Sequence, residues 1–481
     1  MKDNRSIFFI IGLLLAAVAA GMLLPALVDL ASAHDDWQVF VASALVTGFI
    51  AGALILTNRG DLPPLSVKQA FLLTSLSWLA LTGFAALPFA FSELNLSYTD
   101  AFFEAMSGLT TTGATILTGL DNAPPGILLW RALLQWFGGI GIIVMAISVL
   151  PMLNVGGMQL FRLESSDTSE KILPRTAQIA GSITRLYFGI TLACVVAYAL
   201  AGMNLFDAVA HAMTTIATGG FSTRDASLGA FAPEVAMVAL VFMLMSSLPF
   251  VAYLQLVNRK FDKFVQDAQI RTFLILALVA TLAMWAYQLS FDIAAPGSAL
   301  LAAAFNTISI LTGTGYATTD YGAWGPFAIG VFFVLTFIGG CAGSTACGLK
   351  IFRLQVIFKA GWRYIRQLTL PNGVFVIRYN GRVLDDDVAN SVVAFVLIFI
   401  LSFSAVAISL SLMGLEPVTA LSAAAAAIAN VGPGLGAEIG PTGNYANLPD
   451  RAKWVLSFGM LLGRLEFLTV LVMFSPSFWR R

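Results

Sequence analysis

Asp100–Thr115 reads DAFFEAMSGLTTTGAT, and the same design returns three times: DAVAHAMTTIATGGFST at Asp207–Thr223, AAAFNTISILTGTGYATTD at Ala302–Asp320 and ALSAAAAAIANVGPGLG at Ala420–Gly436. Each is a short apolar stretch followed by a glycine-centred turn. Aligned by eye, Gly113, Gly220, Gly315 and Gly432 take equivalent places, a repeat of roughly one hundred residues. The stretches Asp100–Leu109, Phe206–Ile216, Ser298–Ile310 and Pro417–Ala429 would each be about 15–20 Å long as a helix. That crosses half a bilayer, so each predicts a re-entrant segment rather than a spanning one. One TTTGAT alone would be an ordinary external loop. Four in phase, each behind a half-length helix, predict a pore with fourfold pseudo-symmetry.

Working outward, the repeats sit among long apolar runs. The 481 residues are 58% hydrophobic and 11% charged, whereas a soluble domain carries about 25% charged residues. Runs near residues 7–28, 38–57, 70–91, 127–150, 182–202, 233–257, 270–290, 326–349, 390–413 and 452–475 are long enough to span a bilayer. An even number of crossings puts both termini on one side. Of 26 Lys and Arg, 21 fall in one alternating set of segments; Arg131, Arg224, Arg451 and Lys453 lie opposite, and Arg464 sits within a span. The positive-inside rule makes both termini cytoplasmic. Acidic residues lean outward: Asp29, Asp35, Asp36, Glu93, Asp121, Asp225, Asp320 and Glu438 lie in or near external segments, where they would concentrate cations. The first run is long for a signal peptide and lacks a cleavage site, so it reads as a retained helix. Net charge is zero, with no bias toward nucleic acid. Cys194, Cys341 and Cys347 lie in apolar runs and give neither a disulfide framework nor a zinc spacing. Two histidines, His34 and His211, are too few for a histidine metal site.

The fold class expected is all-α integral membrane: two N-terminal transmembrane helices (residues 1–66), then four helix–pore-helix–loop–helix repeats around a central pore, at residues 67–155, 156–260, 261–355 and 356–481. Non-helical backbone survives at membrane depth only where protein buries it or water reaches it. Loops meeting on an axis can turn carbonyls inward, and carbonyl rings replace the hydration shell of K⁺. Glycine permits the backbone angles this needs. Half-helix C-termini aimed at the centre add partial negative charge. The Gly/Thr stretches hold no carboxylate, which suits a weakly held monovalent cation better than a divalent one. His211 reads as a hydrogen-bonded packing residue. Trp37, Trp78 and Trp479 read as interface anchors, and Asp385–Asp387 as a solvated face.

The motifs TTTGAT (Thr110–Thr115), TGGFST (Thr218–Thr223), TGTGYATTDYG (Thr312–Gly322), NVGPGLG (Asn430–Gly436) and LLGRLEFLT (Leu461–Thr469) resemble the TrkH/TrkG membrane subunits of the bacterial Trk potassium uptake system, within the group that includes KtrB and the plant HKT transporters. The resemblance covers essentially the whole chain. It implies K⁺ uptake at the bacterial cytoplasmic membrane, with K⁺ held by carbonyls just before each filter glycine. Those belong here to Thr111 and Thr112, Thr218 and Gly219, Gly313 and Thr314, and Asn430 and Val431, with Gly113, Gly220, Gly315 and Gly432 completing the ion-binding set that the resemblance implies. In the plant relatives a serine in place of the first-loop glycine goes with Na⁺ selectivity, so Gly113 implies K⁺. The symmetry is approximate, since loop four carries Pro433 and the third half-helix lacks the acidic residue that opens the first two.

Two features below the loops concern gating. GGCAGSTACG (Gly339–Gly348) makes a poor continuous helix. It reads either as close helix packing through small residues or as a flexible intramembrane loop; the resemblance implies the loop, with Gly339, Gly340, Gly343, Ser344, Thr345 and Gly348 closing the pore. Arg464 lies in mid-span, where an arginine costs about 2.5–3.5 kcal/mol and faces a cavity or a partner. Glu466, two residues on, points elsewhere on a helix. Arg464 is therefore either an ion-pair partner of another span or a barrier in the pore, and the resemblance implies the barrier. No GxxxxGK[ST] loop occurs, so no nucleotide is expected on this chain. The resemblance implies a homodimer and a TrkA-type cytoplasmic nucleotide-binding subunit, for which the basic segments 151–181, 258–269 and 351–388 are the docking surface. The rivals are a Na⁺-permeable or weakly selective member of the same group, and a broken-helix secondary transporter, which would show two inverted repeats. An enzyme would need a clustered nucleophile and base, and none is visible.

Overall fold

The computed structural model describes residues 4–60, 65–148, 172–257, 259 and 261–480. The boundary expected near residue 155 and most of the basic segment 151–181 lie outside the described residues.

Two long apolar helices, α1 (Arg5–Ala31) and α2 (Trp37–Thr57), form a hairpin. Gly12 allows the close approach, because a Cβ there would fall within 3.1 Å of Ile55, Ala51 and Leu54. The hairpin leans on the first repeat, which comprises α3 (Val67–Ala85), α4 (Leu87–Phe91), the half-helix α5 (Tyr98–Leu109) and α6 (Pro125–Ser148). The second repeat is α7 (Ile172–Leu200), the half-helix α8 (Leu205–Ile216), α9 (Pro233–Ser246) and α10 (Phe250–Val257). A short α11 (Phe261–Gln266) leads into α12 (Ala268–Ser290), the half-helix α13 (Pro296–Leu311) and α14 (Pro326–Phe337). An amphipathic α15 (Ile351–Thr369) and a two-stranded antiparallel hairpin, β1 (Arg378–Tyr379) and β2 (Arg382–Val383), precede the fourth repeat. That repeat holds α16 (Asp386–Leu412), the half-helix α17 (Pro417–Ala429) and α18 (Asp450–Arg464), and the chain closes with α19 (Leu468–Leu471) and α20 (Pro476–Arg480).

Local chemistry explains where the half-helices start. Ser97 and Asn204 accept N-terminal amide hydrogens of α5 and α8 through their side chains, which satisfies donors that no helix turn can. Proline opens α13 and α17, where its missing N–H costs nothing. The half-helices hold 12, 12, 16 and 13 residues, or about 18–24 Å, against about 30 Å of bilayer core. Around them run seven helices long and apolar enough to cross a membrane, and two bent pairs bring the number among the described residues to nine.

Three of the apolar runs are broken, the eighth at the glycine-rich stretch where a break was one of the two readings. The sixth bends by 91° between α9 and α10, across Ser247-Leu248-Pro249, where proline withholds a donor and other segments take the freed carbonyls. The eighth stops at Phe337 and becomes the non-helical stretch 338–350. The tenth stops at Arg464, takes positive φ at Glu466 (61°) and Phe467 (21°), and turns by 107°. Trp78 also departs from its expected place. It is 7% exposed and packs in the main apolar cluster, because α3 faces the protein on that side rather than a membrane surface.

Candidate functional site

The four half-helices end alike. The residue two before each glycine is left-handed, with φ of 52° at Thr111, 50° at Thr218, 73° at Gly313 and 52° at Asn430. The next N–H reaches back five residues: Thr112 to the Ser107 carbonyl, Gly219 to Thr214 and Thr314 to Ser309, each 2.9 Å, and Val431 to Ala426, 3.0 Å. Shorter companions run from Thr111 to Gly108, Thr218 to Thr215, Gly313 to Ile310 and Asn430 to Ala427. Each end is therefore a Schellman closure. Three of the four place a non-glycine residue in the left-handed region, at about 1–2 kcal/mol each. Sequence reading named these four residues but not their left-handed conformation, because only loop three marks it with glycine.

The glycines follow two residues after the left-handed ones, again with positive φ: 87° at Gly113, 76° at Gly220, 81° at Gly315 and 95° at Gly432. Their neighbours close a ring. A Cβ on Gly113 would lie under 3.0 Å from the carbonyl oxygen of Gly219; on Gly220, from that of Thr314; on Gly315, from that of Val431; and on Gly432, from that of Thr112. Every loop thus meets the next at the carbonyl preceding its glycine, and the fourth returns to the first. The convergence expected of the four loops is met, with a main-chain oxygen nearest at every contact and the Pro433 ring beside the one at Gly315. A cavity of about 80 Å³ lies over the ring, lined among others by all four glycines. A smaller one, about 30 Å³, lies on the opposite side against Cys347, Gly463 and Arg464.

Buried polar side chains brace the loops. Arg131 donates from Nε to Glu104 Oε1 (2.8 Å), and from its terminal nitrogens to the Ser222 carbonyl (2.8 Å) and Thr115 Oγ1 (3.1 Å). Its guanidinium lies 4.1 Å from the centre of the Phe221 ring. Glu104 also accepts from the Ile116 amide and Thr115 Oγ1. The pair is 1% and 0% exposed, so Arg131 does not belong to the external surface where charge counting put it. Lys453 is likewise buried, against Asp100 at 2.5 Å. The signal was available: a glutamate in mid half-helix and an arginine two turns into an inner helix must find each other in an apolar setting. Breaking such a pair from one side costs about 3–5 kcal/mol. Glu104→Ala is expected to lower the thermal midpoint of the detergent-purified protein, and Glu104→Ala with Arg131→Ala to cost less than the sum of the single changes; additive losses would mean that the two do not act as a pair.

Tyr316, after Gly315, donates to or accepts from Thr214 and Thr215 on α8. Tyr445 Oη donates to the Gly432 carbonyl at 2.8 Å. His211 bonds the Asp207 carbonyl (2.8 Å) and Ser222 Oγ (2.9 Å), the packing role expected of it. At the outer mouth Arg224 bridges Asp207 (3.0 Å) and Asp121 (3.5 Å), and the hydrogen bond to Asp207 holds its guanidinium above the usual range.

Beneath the ring lies the 338–350 stretch, and it is a loop rather than a tightly packed helix. Residues 339–347 are buried, so the backbone must find partners inside the protein. The Cys341 amide donates to Ser247 O (2.9 Å), Thr345 to Ser246 O (3.3 Å), Gly339 to Leu349 O (2.9 Å), and Phe250 to Gly343 O (2.9 Å). The break in the sixth run and this loop therefore satisfy each other. Gly343 and Gly348 have φ of 76° and 72°. At Gly339 and Gly340 a Cβ would strike the Cys347 carbonyl and Ala346. Ser344 Oγ donates to Cys341 O (2.6 Å), and Thr345 Oγ1 to Ile216 O (3.0 Å) at the end of α8.

Arg464 reaches this loop. It is 3% exposed and donates to Cys347 Sγ (2.7 Å), Thr345 O (3.4 Å) and Gly138 O (2.8 Å), with Nε unpartnered. It meets no carboxylate among the described residues, so the ion-pair alternative falls away. Glu466 instead pairs with Arg353 at 2.5 Å. Cys347 Sγ lies 3.6 Å from Thr111 Oγ1, linking loop one to Arg464 through a thiol that sequence reading had not singled out.

Membrane-length helices enclosing a closed ring of re-entrant loops make this a multi-pass membrane transport protein. Residues 37–481 match the TrkH family model, described as cation transport protein. A Trk system potassium uptake protein TrkI from Halomonas elongata is 47% identical over 98% of this chain and 96% of its own. A Trk system potassium uptake protein TrkH from Salmonella typhimurium is 39% identical over 99% of each. The crystal structure of the potassium transporter TrkH from Vibrio parahaemolyticus superposes with a TM-score of 0.92 at 37% identity, covering 100% of both chains. The chain belongs to the TrkH family of cation transport proteins, a transporter family rather than an enzyme family.

Proposed function

We propose that this protein takes up K⁺ across the bacterial cytoplasmic membrane through a filter of carbonyls contributed by Thr111–Gly113, Thr218–Gly220, Gly313–Gly315 and Asn430–Gly432. The observation that carries the reading is the closed ring, in which each filter glycine abuts the carbonyl before the next. A cation there meets oxygens aligned by backbone bonds and backed by four half-helix C-termini. The relatives named as potassium uptake proteins favour K⁺ as the ion. The loop 339–348 and Arg464 form the gate on the inner side. The repeats divide at residues 67–155, 156–260, 261–355 and 356–481 behind the pair at 1–66, with both termini cytoplasmic. The membrane subunit pairs as a homodimer and takes a TrkA-type cytoplasmic subunit on the basic surface of residues 258–269 and 351–388, which supplies the nucleotide binding that this chain lacks a motif for.

The test is Rb⁺ uptake into proteoliposomes holding the full-length protein, with Na⁺ as competitor and with or without a pH gradient. Uptake that resists a large excess of Na⁺ is expected. Equal competition by Na⁺ would support the weakly selective alternative and remove the K⁺ assignment.

A further inference from the structure

Loop two departs from the other three at one position. The residue before the filter glycine is Thr112, Thr314 or Val431 in loops one, three and four, each β-branched, and Gly219 in loop two. Gly219 is not among the residues with positive φ, so its backbone does not require glycine. Its neighbour does: a Cβ there would lie 2.5 Å from Cδ, 2.7 Å from Oε1 and 2.9 Å from Nε2 of Gln135. Gln135 stands on α6, fully buried. Its Nε2 donates to the Gly219 carbonyl at 2.7 Å, and its Oε1 accepts from the Phe221 amide at 3.1 Å. One amide thus clamps both flanks of Gly220.

Loops one and three brace the same position through a threonine hydroxyl, and loop four fills it with the buried Val431 side chain. Thr112 Oγ1 bonds Thr110 Oγ1 (2.7 Å) and accepts from Asn430 Nδ2 (2.9 Å), and Thr314 Oγ1 bonds Thr312 Oγ1 (2.7 Å). Loop two has no side chain there to do this. We propose that the Gln135 amide replaces, from a neighbouring helix, the β-branched side chain that loop two lacks, and that it is a specificity-determining positioning residue. The inference rests on the filter reading above.

The physical link to selectivity runs through the Gly219 carbonyl. Na⁺ is smaller than K⁺, so a ring that favours K⁺ must resist drawing inward. A carbonyl tied at 2.7 Å to a buried amide resists that displacement, and the hydrogen bond it accepts lowers the field it offers a small ion. Both size and field strength bear on discrimination in carbonyl filters. Without the tether, loop two becomes the soft quadrant of the ring.

The experiment uses full-length protein in proteoliposomes and reads the Na⁺ concentration that halves Rb⁺ uptake. Gln135→Leu keeps the volume and removes both hydrogen bonds. Its half-inhibiting Na⁺ concentration is expected to fall about fivefold to tenfold, the weight of one or two net hydrogen bonds. Gln135→Ala is expected to fall similarly. Gln135→Ala with Gly219→Thr, which returns a β-branched side chain to the loop, is expected to regain most of the wild-type value. A correctly inserted Gln135→Leu with wild-type Na⁺ resistance overturns the proposal. If that variant does not insert, the double variant decides: regained Na⁺ resistance supports the proposal, and continued sensitivity overturns it. Wild-type protein in which Na⁺ and Rb⁺ compete equally would instead defeat the filter reading itself.

Discussion

Gly220→Ala is expected to lower Rb⁺ uptake by about a hundredfold or more in protein that still reaches the membrane. Gly220 has φ of 76°, a conformation that costs an L side chain about 1–2 kcal/mol. That cost alone would be tolerable. The larger effect is steric: the new methyl would lie under 3.0 Å from the Thr314 carbonyl, and also press on that residue's carbonyl carbon and on Gly315. These are backbone atoms, so relief requires moving loop three against loop two. Displacement of about 1 Å in a positioned site costs roughly a hundredfold in rate. Gly119→Ala is the control. Gly119 also has positive φ, 71°, but an added Cβ meets nothing within 4 Å, so uptake should remain within about twofold of wild type, the loss being a local strain of about 1–2 kcal/mol in stability. Near-normal uptake by Gly220→Ala would mean that the ring is not the ion path.

Arg464→Ala is expected to raise uptake by about tenfold or more. A K⁺ passing about 4 Å from a guanidinium meets repulsion of about 4 kcal/mol at an effective dielectric of about 20, and each 1.4 kcal/mol removed from a barrier is tenfold in rate. Arg464 is charged, has no neutralising carboxylate among the described residues, and lines the cavity under the ring. The substitution also frees the Gly138 and Thr345 carbonyls and Cys347 Sγ, which loosens the loop below the filter in the same direction. Arg464→Lys separates the two contributions. It keeps the charge but cannot reproduce three divergent donors, so its uptake should stay closer to wild type if repulsion dominates. Unchanged uptake in well-folded Arg464→Ala would count against a barrier at this position.

Much of this was legible along the chain because the repeat is written in local chemistry. Half-length apolar runs need start signals, and Ser97 and Asn204 supply side-chain caps while Pro296 and Pro417 open the first turn. Glycine at the turn needs positive φ, and Gly113, Gly220, Gly315 and Gly432 take it. The left-handed residues Thr111, Thr218 and Asn430 were illegible, since threonine carries no mark of a conformation that only its helix terminus imposes. The bends after Ser246 and Arg464 were also hidden. Their neighbourhoods are apolar enough to read as continuous spans, while the carbonyls freed at Ser246 and Ser247 are taken by Thr345 and Cys341, and Arg464 is held by Gly138 and Thr345, all far along the chain.

By itself, then, the order of residues determined the class, the fourfold repeat and its four turn glycines, because helix length, hydropathy and backbone freedom depend on near neighbours; at Gly339–Gly348 it left close helix packing and a loop both open. Only the tertiary structure decided which carbonyl faces which glycine, that Glu104 holds Arg131, that Arg464 reaches Cys347 rather than an acid, and why loop two has Gly219. Each of those depends on two segments competing for one volume or one hydrogen bond, and that competition exists only once the four repeats have closed around a common axis.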